Sequence, residues 1–232
     1  MTNYLKVNDF TTANIKHCVV MDFGTIHASP RFSEQIKLYG TNGSYNIIDG
    51  AFENYDRTIR IFFERFSDLA TLVEKFKPVD NKLEFSYQPE AIFYADLLDT
   101  EITVRGMYGW ELAIKLDMQP FRYQKYVEPL VFTASGNIDN PASVYSEPVI
   151  EIEGDGDVSL TIGKTTMHLT IRQKVTIDCR HKKQNIYNAE GMVQNTLRKR
   201  GGFFELAVGN NGLVFSGNVR KVTVRPNWRY II

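Results

Sequence analysis

Residues 158–179 read VSLTIGKTTMHLTIRQKVTIDC and alternate apolar with polar side chains on both sides of a turn at Gly163-Lys164. Successive side chains of a β-strand point to opposite faces, so this alternation predicts strands with one face on a core and one in solvent. The apolar positions of the segment are Val158, Leu160, Ile162, Met167, Leu169, Ile171, Val175, Ile177 and Cys179.

The same alternation recurs along most of the chain. It is found at Ile59, Ile61 and Phe63, at Leu83, Phe85 and Tyr87, at Trp110, Leu112, Ile114 and Leu116, and at Val222 and Val224. Half-buried antiparallel strands have this appearance. The chain has 232 residues, enough for one large β domain or for two domains of about 100 residues. We therefore expect a mainly β protein.

One segment has a helical period instead. Ser67 is a possible N-cap, Asp68 suits the positive end of a helix, and Pro78 would stop it. The apolar residues between them, Leu69, Leu72, Val73 and Phe76, form a single stripe. The spacing predicts a helix over 67–77, and a weaker period predicts a second short helix near 186–197.

Residues 134–143, ASGNIDNPAS, are small and polar and contain Pro141. This composition predicts a linker between an N-terminal domain, 1–133, and a C-terminal domain, 144–232. Charge supports the division, because residues 1–133 hold 14 basic and 18 acidic groups, a net charge of −4, while residues 134–232 hold 13 and 9, a net charge of +4.

The composition argues against several classes of protein. The 27 basic groups balance 27 acidic groups, whereas general nucleic-acid binding needs a positive excess. No run of 18 apolar residues is present, so we expect no contact with a membrane. The start of the sequence, MTNYLK, does not resemble a signal peptide, so we expect synthesis in a cytoplasm. We expect no cofactor.

Three groups of residues could carry chemistry, and each has a simpler interpretation. Gly163-Lys164-Thr165 lacks the earlier glycine of a phosphate-binding loop and suits a hairpin turn. His17-Cys18 and Cys179-Arg180-His181 lack the spacing of a zinc site, so buried thiols are the alternative. Glu151, Glu153, Asp155 and Asp157 could serve a glycosidase, but a solvated strand end is the alternative. We therefore expect no catalytic residues and no metal site.

Adjacent large apolar side chains are the least ordinary feature. Phe62-Phe63 and Phe203-Phe204 would point to opposite faces of their strands, so both faces need cover. Either a second layer of the same subunit provides the cover, or a neighbouring subunit does. Candidate interface residues are Arg60, Phe62, Phe63, Phe203, Phe204 and Trp228.

Ordered fragments of the chain resemble the distal tail protein family of siphophages that infect Gram-positive bacteria. The resemblance spans nearly the whole chain, and its clearest fragment, residues 146–158, matches the family pattern S-x-P-x-x-x-I-x-G-x-G-d-v. The other fragments are Ser29-Pro30, residues 42–44, 48–50 and 55–61, the helical segment, and residues 202–206, 209–212, 215–219 and 225–230.

The resemblance implies an N-terminal β-sandwich with one helix that closes into a homo-hexameric ring, and a galectin-like C-terminal β-sandwich outside the ring. It leaves open a return of the last strand to the N-terminal domain. Such a ring lies at the virion tail tip and joins the tail tube protein to a tail-associated lysin or fibre protein. Receptor-binding proteins can attach to it, and DNA passes through it without specific binding.

Two other functions stay open. A carbohydrate-binding module for host cell walls is the first, with Trp228 and several tyrosines as stacking surfaces. Against it, His181 is followed by Lys-Lys-Gln-Asn rather than by the galectin sugar-binding pattern, and no inserted module interrupts the recognised strands. A glycosidase that uses Glu151, Glu153 and Asp155 is the second.

Overall fold

The computed structural model describes residues 3–28, 31–37, 39–40, 42–47 and 50–231. Ser29, Pro30, Ile48 and Asp49, which belong to the quoted family fragments, lie outside these ranges. The structure divides into two compact units, the first formed by residues up to Arg122 together with Ile231, and the second by Tyr123–Tyr230. Each is described by itself below.

The first unit is built around one antiparallel sheet. Its strands are β1 Leu5–Val7, β2 Phe10–Thr11, β3 Cys18–Asp22, β6 Tyr55–Phe63, β7 Asn81–Phe85, β8 Ala91–Val104 and β9 Trp110–Met118, in the spatial order β2-β1-β7-β8-β9-β6-β3. Strands β4 Glu34–Ile36 and β5 Tyr45–Ile47 form a separate pair. The same large sheet also includes β10 Phe121–Gln124, which pairs with β8, and β18 Arg229–Ile231, which pairs with β10. Short 3-10 turns occupy Thr12–Asn14 and Gly106–Tyr108.

The core of this unit lies on the face of the sheet that the alternation predicted. Ile59, Ile61, Phe63, Leu112 and Ile114 are all fully buried there. The helix α1 Phe66–Val73 contacts β6 and β9, and it buries Leu69 and Leu72. This amphipathic helix therefore packs over part of the core.

Helix α1 is shorter than the predicted 67–77, and its N-cap is Arg65 rather than Ser67. After Val73 the chain continues in a tighter turn, in which the N–H groups of Lys75 and Phe76 donate to the carbonyl oxygens of Leu72 and Val73. Asn81 binds the residue that follows this turn. Its side-chain amide donates to the carbonyl oxygen of Lys77 at 2.7 Å, and its side-chain oxygen accepts from the Lys77 N–H at 2.7 Å. Phe76 still reaches the core, from a turn that follows the helix.

The second unit is built on three long antiparallel strands. These are β13 Val149–Ile162, β14 Thr165–Asp178 and β17 Gly209–Arg225, and β13 lies between the other two. The remaining strands of this sheet are β11 Leu130–Phe132, β12 Gly136–Asn140, β15 Asn185–Tyr187 and β16 Arg198–Arg200. Gly163-Lys164 forms the predicted hairpin turn between β13 and β14. The predicted second helix is absent from the described residues, where 186–197 holds the end of β15 and a 3-10 turn, Asn195–Leu197.

The segment 134–143, expected to be a linker, lies inside the second unit and contains β12. Ile138 is 1% exposed and lies opposite Asn211 of β17. The buried Asn140 amide donates to the carbonyl oxygens of Val144 at 3.2 Å and Leu206 at 2.9 Å. Small polar residues here satisfy backbone groups, a role that composition alone does not distinguish from that of a flexible connection.

Candidate assembly interface

Two edges of the first sheet present unused backbone groups. Strand β7 pairs with β8 only from Phe93 to Ala95, and β10 also pairs with β8. Residues 99–104 of β8 lie opposite β9 and extend past the end of β7. At the opposite end of the sheet, the neighbour of β3 among the described strands is β6. An open edge offers a row of N–H and C=O groups to another strand.

Apolar side chains accompany both edges. Ile102 and Val104 on β8 are 45% and 60% exposed, and Val19 and Met21 on β3 are 52% and 48% exposed. Ile102 lies opposite the fully buried Leu112, so the core face of the sheet continues outward along the open part of β8. The loop after β8 adds the exposed Met107 and Tyr108. Strands with open edges and apolar surface are sites of strand addition.

The two edges run in opposite directions. Strands β3, β6, β9 and β8 are neighbours in that order, and each pairing between them is antiparallel. Three antiparallel steps leave β3 and β8 antiparallel to each other. The β3 edge of one copy can therefore pair antiparallel with residues 99–104 of the next copy, and the strand direction alternates without a break.

The face of this sheet that points away from the core is charged. Glu111 of β9 lies between two arginines: its Oε1 accepts from Nη1 of Arg60 at 2.9 Å, and its Oε2 accepts from Nε of Arg105 at 2.7 Å. The Glu111 side chain is 7% exposed, whereas those of Arg60 and Arg105 are about half exposed. The hydrogen bonds from Arg105 and Arg60 hold the pKa of Glu111 below its usual value, although burial opposes them.

Glu111→Gln is expected to remove an acid-sensitive part of the stability of the first unit. The pKa of Glu111 is lower in the folded state, so its contribution is complete above the unfolded pKa of about 4.3 and is lost as the pH falls through the folded pKa. The variant should therefore be less stable than the wild type at neutral pH, and the difference should shrink below about pH 4. Urea unfolding at several pH values, followed by Trp110 fluorescence, measures this. The matched control is Glu90→Gln at an exposed site, where a difference of the same size would contradict the assignment.

The rest of this outer face carries more acidic than basic side chains. Asp56, Asp117 and Asp96 lie side by side on β6, β9 and β8. Lys115 of β9 forms ion pairs with Glu101 and Asp99 of β8. The outer-face acids of β6, β8 and β9 are Asp56, Asp96, Asp99, Glu101, Glu111 and Asp117, against the bases Arg60 and Lys115 and the neighbouring Arg105.

The six candidate interface residues occupy three kinds of position. Phe63, Phe204 and Trp228 lie in the cores of their own units, at 0%, 0% and 6% exposure, so their own subunit covers them. Phe62 and Arg60 lie on the outer face of β6, beside Glu111. Phe203 is half-buried against the second core, 4.8 Å below the guanidinium of Arg198.

The sequence reasoning missed Val19, Met21, Ile102 and Val104. Val19 and Met21 lie in the unbroken apolar run Cys18-Val19-Val20-Met21, which has no two-residue period. Ile102 and Val104 do alternate with polar neighbours, which was a usable sequence signal for a strand, but only the structure shows that this strand extends past β7.

Two of the acidic residues considered for a glycosidase, Glu151 and Glu153, are held in ion pairs. Glu151 lies 2.7 Å from Nζ of Lys174, and Glu153 lies 2.6 Å from Nζ of Lys221. The hydrogen bond from Lys221 holds the pKa of Glu153 below its usual value. A glycosidase acid needs a raised pKa, so this environment works against that role.

The thiols Cys18 and Cys179 and the histidines beside them were the candidates for a zinc site. Among the described residues, no group of three or more Cys, His, Asp or Glu side chains is placed to hold a metal ion. Burial raises the pKa of both Cys18 and Cys179 to about 12, which keeps them as neutral thiols. In the described part of the chain, no helix has the length and apolar character needed to cross a membrane.

Comparison with solved structures places the fold. The Dit protein of phage SPP1, a hub of the adsorption apparatus in phages that infect Gram-positive bacteria, superposes with a TM-score of 0.66 at 12% identity, over 97% of this chain and 99% of that one. The chain has the distal tail protein fold. A chain of the phage P2 baseplate in its activated conformation with Ca superposes with a TM-score of 0.61 at 10% identity, over 97% of this chain and 98% of that one.

The same baseplate in its activated conformation with Sr gives a TM-score of 0.59 at 10% identity, over 97% and 98% of the two chains. A scan of protein-family models gives no match, and a search of curated proteins gives none either. The likeness to distal tail and baseplate proteins therefore rests on shape. It confirms the expected fold class, mainly β with two β-sandwich domains and a helix in the first, and the resemblance read from the sequence.

Proposed function

We propose that this protein is a structural hub of a phage tail tip, in which six copies close into a ring between the tail tube and a tail-associated lysin or fibre protein. The observation that carries the proposal is the pair of open, antiparallel edges on one sheet, at β3 and at residues 99–104 of β8. Different patches that meet head to tail with a fixed rotation close into a ring.

The geometry of the sheet supports a definite orientation of such a ring. Helix α1 and the core lie on one face of β6 and β9, and we place this face on the outside of a closed circle of sheets. The opposite, charged face of the sheet, which points away from the core, would then line the central channel. Its acidic excess would repel the phosphates of a passing DNA molecule, which suits passage without binding.

The match over nearly the full length of both chains supports a role like that of the SPP1 hub. The number six, the tail tube and the lysin or fibre as neighbours, attachment of receptor-binding proteins and synthesis in the host cytoplasm come from the family resemblance and belong to the proposal. So do the ring-forming role of the N-terminal part and the interface roles of Phe62 and Arg60.

Native mass spectrometry of the purified full chain tests the ring. We expect a six-copy species, and negative-stain images of the same sample should show a closed ring with a central channel. A protein that stays monomeric at tens of micromolar would overturn the proposal, and an open filament would overturn its closed symmetry.

The alternative function, carbohydrate binding, loses Trp228 as a stacking surface but keeps exposed tyrosines such as Tyr126 and Tyr145. Trp228 is 6% exposed and lies in the core of the second unit. Its ring has no open face for a sugar, so this residue supports no sugar site.

A further inference from the structure

The outer face of the second unit contains an open depression of about 570 Å³. Its polar lining comes from Asp157 and Ser159 on β13, His168 and Thr170 on β14, Lys199 on β16 and Ser216 on β17. None of these residues belongs to the ring edges or to the two ion pairs of Glu151 and Glu153.

The backbone builds this depression through a bulge. Asp155 lies opposite Asn218 and Ser159 opposite Ser216, so three residues of β13 face the single Gly217 of β17. Gly217 has φ +93°, and a Cβ there would lie 2.4 Å from the carbonyl oxygen of Asp157. A bulge bends its strand and re-aims the neighbouring side chains, and only glycine permits this one.

A second glycine, Gly201, allows strand β16 to form one side of the depression. A Cβ on Gly201, just after β16, would lie 2.1 Å from the carbonyl oxygen of Thr166. This close approach lets the short strand β16 pair with β14, where Arg200 lies opposite His168. Lys199 is exposed at the rim as a result.

The floor is a row of hydrogen-bonding groups in fixed register. Ser216, Ser159 and His168 lie side by side on three strands, and the two serine hydroxyls are 2.8 Å apart. In the next row, Thr170 donates to the carboxylate of Asp157 at 2.5 Å. Strand positions hold these groups in place, so little order has to be gained when a ligand binds.

The lining has both donors and acceptors and a balanced charge. Asp157 supplies one negative charge and Lys199 one positive charge, while the serine and threonine hydroxyls and the His168 ring can donate and accept. A polyanion would be repelled by Asp157, and an apolar ligand would leave these polar groups without partners. A neutral molecule that carries many hydroxyls can bond to the donors and to the acceptors of the lining at once.

We propose that this depression binds a neutral saccharide, of mono- to disaccharide size, through Asp157, Ser159, His168, Lys199 and Ser216. The site goes beyond the ring function and does not depend on it. No aromatic platform is among its lining residues, so single-site binding is expected in the millimolar range, where few contacts beyond hydrogen bonds contribute. A ring of six copies would present six such sites and strengthen binding to a polysaccharide surface.

Saturation-transfer NMR on the full chain tests the site, with a panel of neutral hexoses, N-acetylhexosamines and their disaccharides as probes. We expect saturable binding of at least one panel member. Ser159→Leu, which fills the floor, should weaken that binding at least tenfold. Thr223→Leu, further along β17 and opposite Glu151, is the matched control and should bind as the wild type does.

Circular dichroism of each variant controls for folding. If Ser159→Leu fails to fold, His168→Ala and Lys199→Ala replace it, because both side chains are exposed. Absence of binding by every panel member at millimolar concentration, or binding that Ser159→Leu leaves unchanged, would overturn the proposal. Binding restricted to sulfated or phosphorylated sugars would replace it with an anion site.

The two proposals fail separately. Native mass spectrometry of the same samples reports the ring, and NMR reports the saccharide. A ring without saccharide binding overturns only the site, and a monomer that binds saccharide overturns only the hub.

Discussion

Replacing Ile102 and Val104 together with lysine is expected to give a folded protein that no longer forms rings. Both side chains are about half exposed in the isolated chain, so their replacement should change the free energy of unfolding by less than about 0.5 kcal/mol each. In the proposed ring, the same positions lie against β3 of the next copy. A lysine buried there without a partner costs several kcal/mol, and lysine on an edge is a known barrier to strand addition.

The expected effect is therefore loss of the six-copy species with a nearly unchanged urea unfolding curve. Native mass spectrometry and urea denaturation measure the two quantities on one sample. Val208→Lys is the matched control, because Val208 is 57% exposed but belongs to the second unit and to neither edge strand. Rings that persist in the double variant would contradict the assignment of this edge, and rings lost in the control would show that any added lysine disrupts assembly.

Phe63→Ala is expected to have the largest effect on stability, about 3–5 kcal/mol on the unfolding of the first unit. Phe63 is fully buried, and in register it lies between Cys18 of β3 and Trp110 of β9. Its removal takes apolar surface out of the core and leaves a cavity that the surrounding strands only partly fill.

Phe62→Ala is the natural comparison, since it changes the adjacent residue with the same chemistry. Phe62 is half-buried on the outer face, so its loss should cost the isolated chain clearly less. The chain has two tryptophans, Trp110 in the first unit and Trp228 in the second, and their fluorescence in single-tryptophan variants separates the two transitions. Equal losses for Phe62→Ala and Phe63→Ala would contradict this division of the faces.

The strand alternation predicted most of the core correctly, and the reason is local. At Val158, Leu160 and Ile162, as at Ile59 and Ile61, the two-residue period assigns each side chain to a face without reference to its partner strand. Every one of these residues is buried. The stripe at Leu69 and Leu72 predicted the helix for the same reason.

Features that depend on distant residues were not predictable in this way. The side chain of Asn81, on β7, binds the backbone of Lys77, which the predicted helix would have included. The expected linker pairs with β17 and forms strand β12. Trp228 was considered as an exposed stacking surface, yet tertiary packing places it in the core. In each case, the deciding partner is far away in sequence or belongs to another strand.

By itself, then, the sequence determined the long strands and the side of each that faces a core, because periodicity and turn residues act over a few neighbours. Only the tertiary structure decided which edges stay open and where the depression forms. The edge depends on the point at which β7 stops pairing with β8, and the depression depends on the bulge between β13 and β17. Both are set by pairings between segments far apart in the chain.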